Sequence, residues 1–297
     1  MTGPDAPAPS TTRLDAALVE RALARSRGHA RDLIESGAVL VDGTPVRRRS
    51  TAVRPGQHVE LDAGDPAAQP WVGRAAVKLE HAFLLWRDRG LTAAGGRCLD
   101  VGAGAGGFTE VLLRRGAGRV VALDVGHGQL AARVAADPRV VDLSGINIRY
   151  ADPGQLHDAV GGPIDFVVAD LSFISLRLVL PAITGVIAPG AHVVLLVKPQ
   201  FEVGRGHLGR TGVVASRADR LRSVLGVLDA AGATGLAVHD LVHSPIRGGS
   251  GNNEYLLWTS SVAGDDPGPG RALAPATLTA EEARGRAERL VWQEVGS

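Results

Sequence analysis

Residues 98–113 read CLDVGAGAGGFTEVLL, and this run decides the fold. It opens as a short aliphatic stretch bounded by glycine, the pattern of a buried strand. Gly102, Gly104, Gly106 and Gly107 then form a turn, and Phe108, Thr109 and the residues after them take helical spacing. Strand, glycine turn and helix bring backbone N–H groups close to a ligand at a helix N-terminus. Taken alone, the spacing Gly102, Gly104, Gly107 also fits a tight turn without a ligand or a dinucleotide site. Asp100 tilts the choice, because an acid opening the loop suits a cationic ligand better than a pyrophosphate. Asp124 ends the next apolar run, VVALD, where a carboxylate can accept hydrogen bonds from ribose hydroxyls.

Outward from this loop, the runs FVVADL and VVLLV repeat the aliphatic pattern, with helical stretches between them. The expected fold class is α/β: a Rossmann-like parallel sheet with helices on both faces. The 20-residue segment 178–197 has no formal charge, but Pro181, Pro189 and Gly190 divide it. A short helix, a turn and a buried strand fit it better than a membrane span.

The chain of 297 residues is 45% hydrophobic, enough for a real core. Its 32 basic and 31 acidic side chains nearly cancel, so net charge names no partner. The single cysteine, Cys98, excludes an intramolecular disulfide and a thiolate zinc cluster, and no metal is expected. The first ten residues, MTGPDAPAPS, lack the apolar core of a signal peptide, so a cytoplasmic location is the expectation. The basic residues are 30 arginines and two lysines, Lys78 and Lys198. Only an amine can lose its proton at accessible pH, so a lysine surviving such a bias is a candidate for chemistry.

Residues 13–62 read as two short helices followed by a small β unit with an Asp42-Gly43 turn. Ser26 is a plausible N-cap, and Gly37 ends the second helix. Eight arginines lie between Arg21 and Arg54 against three acids. They fit a nucleic-acid backbone patch or an ordinary solvated face. Residues 1–12 read as a flexible tail, 63–72 as a linker, 73–262 as the α/β domain, and 263–297 as a partly flexible C-terminal extension. Thr279 and Glu282 have capping-box spacing for a last helix through Ala287, Leu290 and Val291.

Four polar residues sit at the ends of expected elements. Lys78 precedes the sheet, Asp170 ends FVVAD, Lys198 ends VVLLVK, and Glu254 opens EYLLW. The carboxyl ends of parallel strands line one crevice, and an antiparallel last strand would bring its start to the same edge. Singly, Asp170 also reads as a helix cap and Glu254 as an edge-strand charge. Asp152 reads equally as a helix cap or a ligand neighbour. Phe173 and Phe201 read as packing residues rather than stacking ones. Asn252 and Asn253 are either turn residues or residues that order the site.

The words around these positions carry a resemblance. RLDAALVERALARSRGHARDLIESGAVLVDGTPV (13–46) resembles the S4 RNA-binding domain. DVGAGAGGFT and LDVG resemble the first motifs of Rossmann-like S-adenosylmethionine (SAM) methyltransferases. VADLSFISL, LLVKPQFEVG and SPIRGGSGNNEYLLW resemble the TlyA-type hemolysin/rRNA methyltransferases, whose catalytic domain is FtsJ-like. The resemblance covers about residues 13–260. It implies SAM-dependent methylation of cytidine 2′-hydroxyls in ribosomal RNA, with Lys78, Asp170, Lys198 and Glu254 catalytic. It implies SAM held by Asp100, Gly102, Gly104, Gly106, Gly107, Phe108, Thr109, Asp124, Val125, Asp152 and Asp170. It implies RNA or ribosomal subunits bound through Arg13, Arg21, Arg25, Arg27, Arg31, Arg47, Arg48 and Arg49. The chain departs from the family at Ala75-Ala76, before NIR at 147–149, and at Arg210-Thr211. A membrane-active hemolysin, an NAD-dependent oxidoreductase and an RNA-binding module with a vestigial Rossmann half are the alternatives. The extended termini favour a target in both ribosomal subunits.

Overall fold

The computed structural model describes residues 11–24, 27–36, 38–61, 71–209, 211–262 and 276–293. Arg25, Ser26, Gly37, Arg210, the expected linker at 63–70 and most of the 1–12 tail lie outside them. The chain forms two compact units, Met1–Val77 and Lys78–Ser297.

The first unit runs β1 (Thr12–Arg13), α1 (Leu14–Glu20), α2 (Arg27–Ser36), β2 (Val39–Val41), β3 (Thr44–Pro45), β4 (Ala52–Val53) and β5 (Val59–Leu61). Helical spacing puts Leu14, Ala17 and Leu18 on one face of α1, and Ala30, Leu33 and Ile34 on one face of α2; all six are buried. Strands β3, β2 and β5 form one antiparallel sheet, and β1 pairs with β4. Asp42 (φ 51°) and Gly43 (φ 74°) make the tight β2–β3 turn, as Asp-Gly does when both residues need positive φ. His58 N–H and Gln57 Nε2 donate to the Asp42 carboxylate at 2.8 Å each, tying the turn to the chain before β5.

Helix α3 (Ala75–Trp86) spans the boundary between the units, which falls between Val77 and Lys78. Then come β6 (Arg97–Val101), α4 (Gly107–Arg114), β7 (Arg119–Asp124), α5 (Ala132–Ala135), β8 (Val140–Ser144), α6 (Pro153–Val160) and β9 (Ile164–Ala169). They are followed by α7 (Leu180–Thr184), β10 (Ile187–Val197), α8 (Pro199–Glu202), α9 (Arg217–Ala233), β11 (Leu236–His243), β12 (Tyr255–Ser261) and α10 (Ala280–Trp292). The seven strands lie in the order β11-β12-β10-β9-β6-β7-β8. All are parallel except β12, which runs against both its neighbours. The uncharged segment resolves as α7 and then β10, whose register breaks between Ile187 and His192 where Pro189 and Gly190 stand.

Both sheet faces are covered, which explains the near-continuous aliphatic strands. Leu99, Val101, Val167, Val193 and Leu195 join one cluster with Leu156 and Val160 of α6, Val224 and Val227 of α9, and Ala283, Ala287 and Val291 of α10. Phe166 and Trp258 face α3 instead, stacking on Phe83 and Trp86 with ring centres 5.6 and 5.5 Å apart. Each such pair contributes about 0.5–1.5 kcal/mol beyond its area burial. Trp86 Nε1 also donates to Asp240 at 3.0 Å, fixing the far end of α3. Residues 280–292 therefore share the core of the second unit, and α10 starts on the expected capping box between Thr279 and Glu282.

Candidate active site

Chain order reverses between β6 and β9, the position at which open α/β sheets bind ligands outside the carboxyl ends of their strands. The glycine loop leaves β6 at this point. Gly102 has φ 86°, and a Cβ on it would lie 2.8 Å from the Asp170 carbonyl oxygen, so only glycine fits between the two strand ends. Gly104 N–H donates to Asp124 Oδ2, and Gly126 N–H donates to Asp124 Oδ1, both at 2.8 Å. Asp124 thus shapes the loop from the end of β7. Its neighbour Val125 is 65% exposed, an apolar surface at the rim.

Asp100 lies beneath this loop, fully buried. Thr109 Oγ1 donates to its Oδ2 at 2.7 Å, while its Oδ1 has no partner among the described residues. Burial, aided by the charges of Asp170 and Asp124, pushes its carboxyl up to about 7. An orphaned carboxylate oxygen in a glycine cradle accommodates a cation. Phe108 and Thr109 are buried in α4, so Phe108 supports the loop from below and Thr109 acts through Asp100.

The four candidate catalytic residues resolve into two ion pairs. Lys78 Nζ lies 2.6 Å from Glu254 Oε2, with both side chains 4% exposed or less. Lys198 Nζ lies 2.5 Å from Asp170 Oδ1, off the hydrogen-bond axis, and donates to Ser172 Oγ at 3.2 Å. Their convergence follows from strand alternation. Trp258 and Phe166 face α3, so Glu254 on β12's side of the pleat faces α3 too, where Lys78 stands. Tyr255 pairs with Val197 in register, which puts Glu254 beside Lys198 at one sheet edge. The antiparallel course of β12 is what brings its first end here.

Residues 71–261 match the FtsJ-like methyltransferase family, and residues 12–59 match the S4 domain. The chain belongs to the FtsJ-like methyltransferase family. Its similarity to the 16S/23S rRNA (cytidine-2′-O)-methyltransferase TlyA of Mycobacterium tuberculosis is 49% identity over 246 residues, 83% of this chain and 88% of that one. The 23S rRNA (cytidine-2′-O)-methyltransferase TlyA of Campylobacter jejuni is 28% identical over 81% of this chain and 96% of its own. A solved structure from Streptococcus thermophilus that carries the hemolysin name superposes with a TM-score of 0.64, at 31% identity, covering 96% of this chain and 98% of that one. Among the described residues no helix is long and apolar enough to cross a membrane, and no cluster of His, Cys, Asp and Glu is placed to hold a metal ion.

In this FtsJ-like methyltransferase several residues that the sequence left open or did not single out have defined partners, and Phe173 departs from its reading. Asp152 caps α6, accepting from Gln155 N–H at 3.0 Å and Gly154 N–H at 3.4 Å. Phe173 is not a packing residue. It is 93% exposed, with φ 63°, on the loop after Asp170, and its ring stands 5.3 Å from Phe201. A left-handed phenylalanine costs about 1–2 kcal/mol, so the loop holds it outward against a local preference. Asn252 orders the 212–214 loop: its Oδ1 accepts from Val214 N–H at 2.9 Å and its Nδ2 donates to Gly212 O at 3.0 Å. Arg220 grips the same loop, donating to the Val214 and Ala215 carbonyls at 2.8 Å each. Gln200 donates to Glu254 Oε1 at 3.5 Å. Glu202 is buried and Gln200 half-buried, and sequence reasoning passed over both inside the KPQFE word.

In the S4 unit, Arg13, Arg21, Arg27 and Arg47–Arg49 are exposed, and Arg31 is half-buried. The Arg47–Arg49 loop meets the start of α1, where Asp15 N–H donates to Arg49 O at 3.3 Å and Leu14 N–H to Thr51 O at 2.8 Å. Arg13 and the arginine triplet therefore share one edge.

Proposed function

We propose that this chain transfers a methyl group from SAM to the 2′-hydroxyl of a cytidine in ribosomal RNA, in both ribosomal subunits. One observation supports the chemistry above the others. The two lysines of an arginine-rich chain meet two carboxylates at the sheet edge where the glycine loop opens. The cytidine and the dual target follow the 49% relative, whose name states 16S and 23S rRNA. Ribosomal RNA as substrate makes the cytoplasm the place of action.

The residues fit SAM. Asp100 offers a buried oxygen without a partner to a cationic ligand, Asp124 suits ribose hydroxyls, and exposed Val125 suits a flat ring. When bound, SAM supplies a methyl carbon already activated by a cationic sulfur. Positioning and one base then suffice for transfer. With its own proton first released to solvent, the neutral Lys198 amine accepts the 2′-hydroxyl proton at Nζ and becomes the ammonium that pairs with Asp170. Asp170 and Ser172 hold that amine in place. Lys78 and Glu254 orient the ribose, and Phe173 stacks on a nucleobase beside them. Stacking of this kind contributes about 1–3 kcal/mol per base. Arg13, Arg21, Arg27 and Arg47–Arg49 contact RNA phosphates, and Arg31 supports them from α2.

The oxidoreductase reading loses to the family match and to Asp100. Incubation with methyl-labelled SAM and unmodified ribosomal subunits tests the proposal: labelled 2′-O-methylcytidine supports it, and label on a base or a protein refutes it. Membrane lysis is the second reading, and liposome leakage by the Lys198→Ala protein would favour it.

A further inference from the structure

Glu202 has no role in the methyl-transfer scheme above, yet its side chain is only 2% exposed and carries a carboxylate. Burying a carboxylate is unfavourable unless donors surround it, and packing alone would be served better by an apolar residue. Three donors converge on this one. Leu176 N–H donates to Oε1 at 2.7 Å, Ser175 Oγ donates to Oε2 at 2.5 Å, and Arg177 Nε donates to Oε2 at 3.3 Å. Arg177 Nη2 also donates to the Glu202 main-chain oxygen at 3.0 Å.

The geometry joins two strand ends. Glu202 closes α8, whose preceding residue is Lys198, and Phe201 N–H donates to Lys198 O at 2.9 Å. Its donors close the loop that begins at Asp170, whose own N–H donates to Val101 O at 3.1 Å. Between these anchors stand only Leu171, Ser172, Phe173 and Ile174. Ser172 is the partner of Lys198, and Phe173 is the exposed aromatic held at positive φ. A chain of four residues fixed at both ends has few conformations left, and that constraint is what a strained outward Phe173 requires.

We propose that Glu202 is a positioning residue for RNA methylation: by stapling Ser175–Arg177 to the turn after Lys198, it presents Phe173 to a nucleobase of the substrate. This rests on the methyl-transfer reading. It assigns Glu202 to the RNA side of the site and gives it no part in holding SAM, since none of its partners belongs to the glycine loop, Asp100 or Asp124.

The test is a double-mutant cycle in the full chain with Glu202→Gln, Phe173→Ala and the pair, assayed for kcat and KM on unmodified subunits and for SAM affinity by calorimetry. Glu202→Gln keeps an acceptor for Leu176 but turns an amide toward Ser175 or Arg177. It is expected to lower kcat/KM for RNA roughly tenfold and leave SAM affinity unchanged. In the Phe173→Ala background the same substitution should cost less than about twofold, because the presented ring is gone. Ser175→Ala, on a half-buried residue, should reproduce part of the loss in a protein with wild-type melting. Independent, fully multiplying effects of Glu202→Gln and Phe173→Ala overturn the proposal, as does wild-type turnover of Glu202→Gln and Ser175→Ala. Parallel loss of SAM affinity also overturns it, since that marks general destabilisation. Absence of RNA methylation by the wild-type protein instead refutes the methyl-transfer reading.

Discussion

Replacing Lys198 by arginine isolates the role of a removable proton. Lys198 and Asp170 are 10% and 13% exposed at their side chains and 2.5 Å apart. Truncation to alanine would leave the carboxylate in a largely dry site without its cation, a penalty of about 3–5 kcal/mol that confuses stability with catalysis. Arginine keeps the positive charge and can bind a carboxylate through two N–H groups, so the pair and the sheet edge survive. Arginine cannot act as a base in a protein. A positioned general base contributes about 10²–10⁴ in rate. The expected loss in kcat is therefore about a thousandfold, or about 4 kcal/mol of barrier. Single-turnover methyl transfer at saturating SAM measures it, with calorimetry to show SAM affinity within about twofold of wild type. Turnover of Lys198→Arg within about threefold of wild type would refute the assignment of the base, because positive charge alone would then suffice.

Four further outcomes follow from the geometry and charges of the chain. Asp100 titrates near 7 in the folded chain against 3.8 as a free side chain, so its protonated form is the one the fold favours. Its stabilising contribution is complete below about pH 4 and is lost as pH rises toward 7; Asp100→Asn should flatten that slope in urea titrations. SAM, being cationic, should bind more tightly at pH 8 than at pH 6 with proton release, an effect absent in Asp100→Asn and measurable from calorimetry in buffers of different ionisation enthalpy. Asn252→Ala leaves buried Val214 N–H without its acceptor, which should cost about 1–3 kcal/mol in unfolding and raise KM for RNA with little change in SAM affinity. Converting Arg47, Arg48 and Arg49 together to alanine should weaken RNA binding uniformly and flatten the plot of log K against log salt by about two units for three lost phosphate contacts.

The fold was legible because its physics is local and periodic. CLDVG, VVALD, FVVAD and VVLLV are aliphatic on both faces, and a strand of that kind has to lie between helices. The glycine loop announced its turn, and Asp42-Gly43 and Thr279-x-x-Glu282 announced theirs. Lys78 and Lys198 stood out by scarcity, and the antiparallel course of β12, which the sequence offered only as a condition for Glu254 to reach that edge, is what the sheet has. What escaped was set by tertiary contacts. The pairing of Lys78 with Glu254 depends on how α3 packs on the sheet, and that of Lys198 with Asp170 on β9 and β10 being neighbours; sequence spacing encodes neither. Phe173 reads as core by composition, and the short loop after Asp170 instead holds it outward at positive φ. Asp152 was open between two roles, and the backbone of α6 uses it as a cap. Glu202, Gln200 and Arg220 have no periodic or motif signal of their own, because each acts through loops distant in sequence. β8 and β11 went unassigned since VVDLS and LAVHDLVH mix charge with apolar residues, as the outer strands of a sheet do.

The central claim is the identity of the reaction. Unmodified small and large ribosomal subunits, and the RNAs stripped from each, are incubated separately with the protein and methyl-labelled SAM, and the modified nucleoside is identified by mass and mapped. The account predicts 2′-O-methylcytidine at a discrete position in each subunit, absent with Lys198→Arg. Label on a base, on a ribosomal protein, or nowhere while SAM binds normally would contradict it.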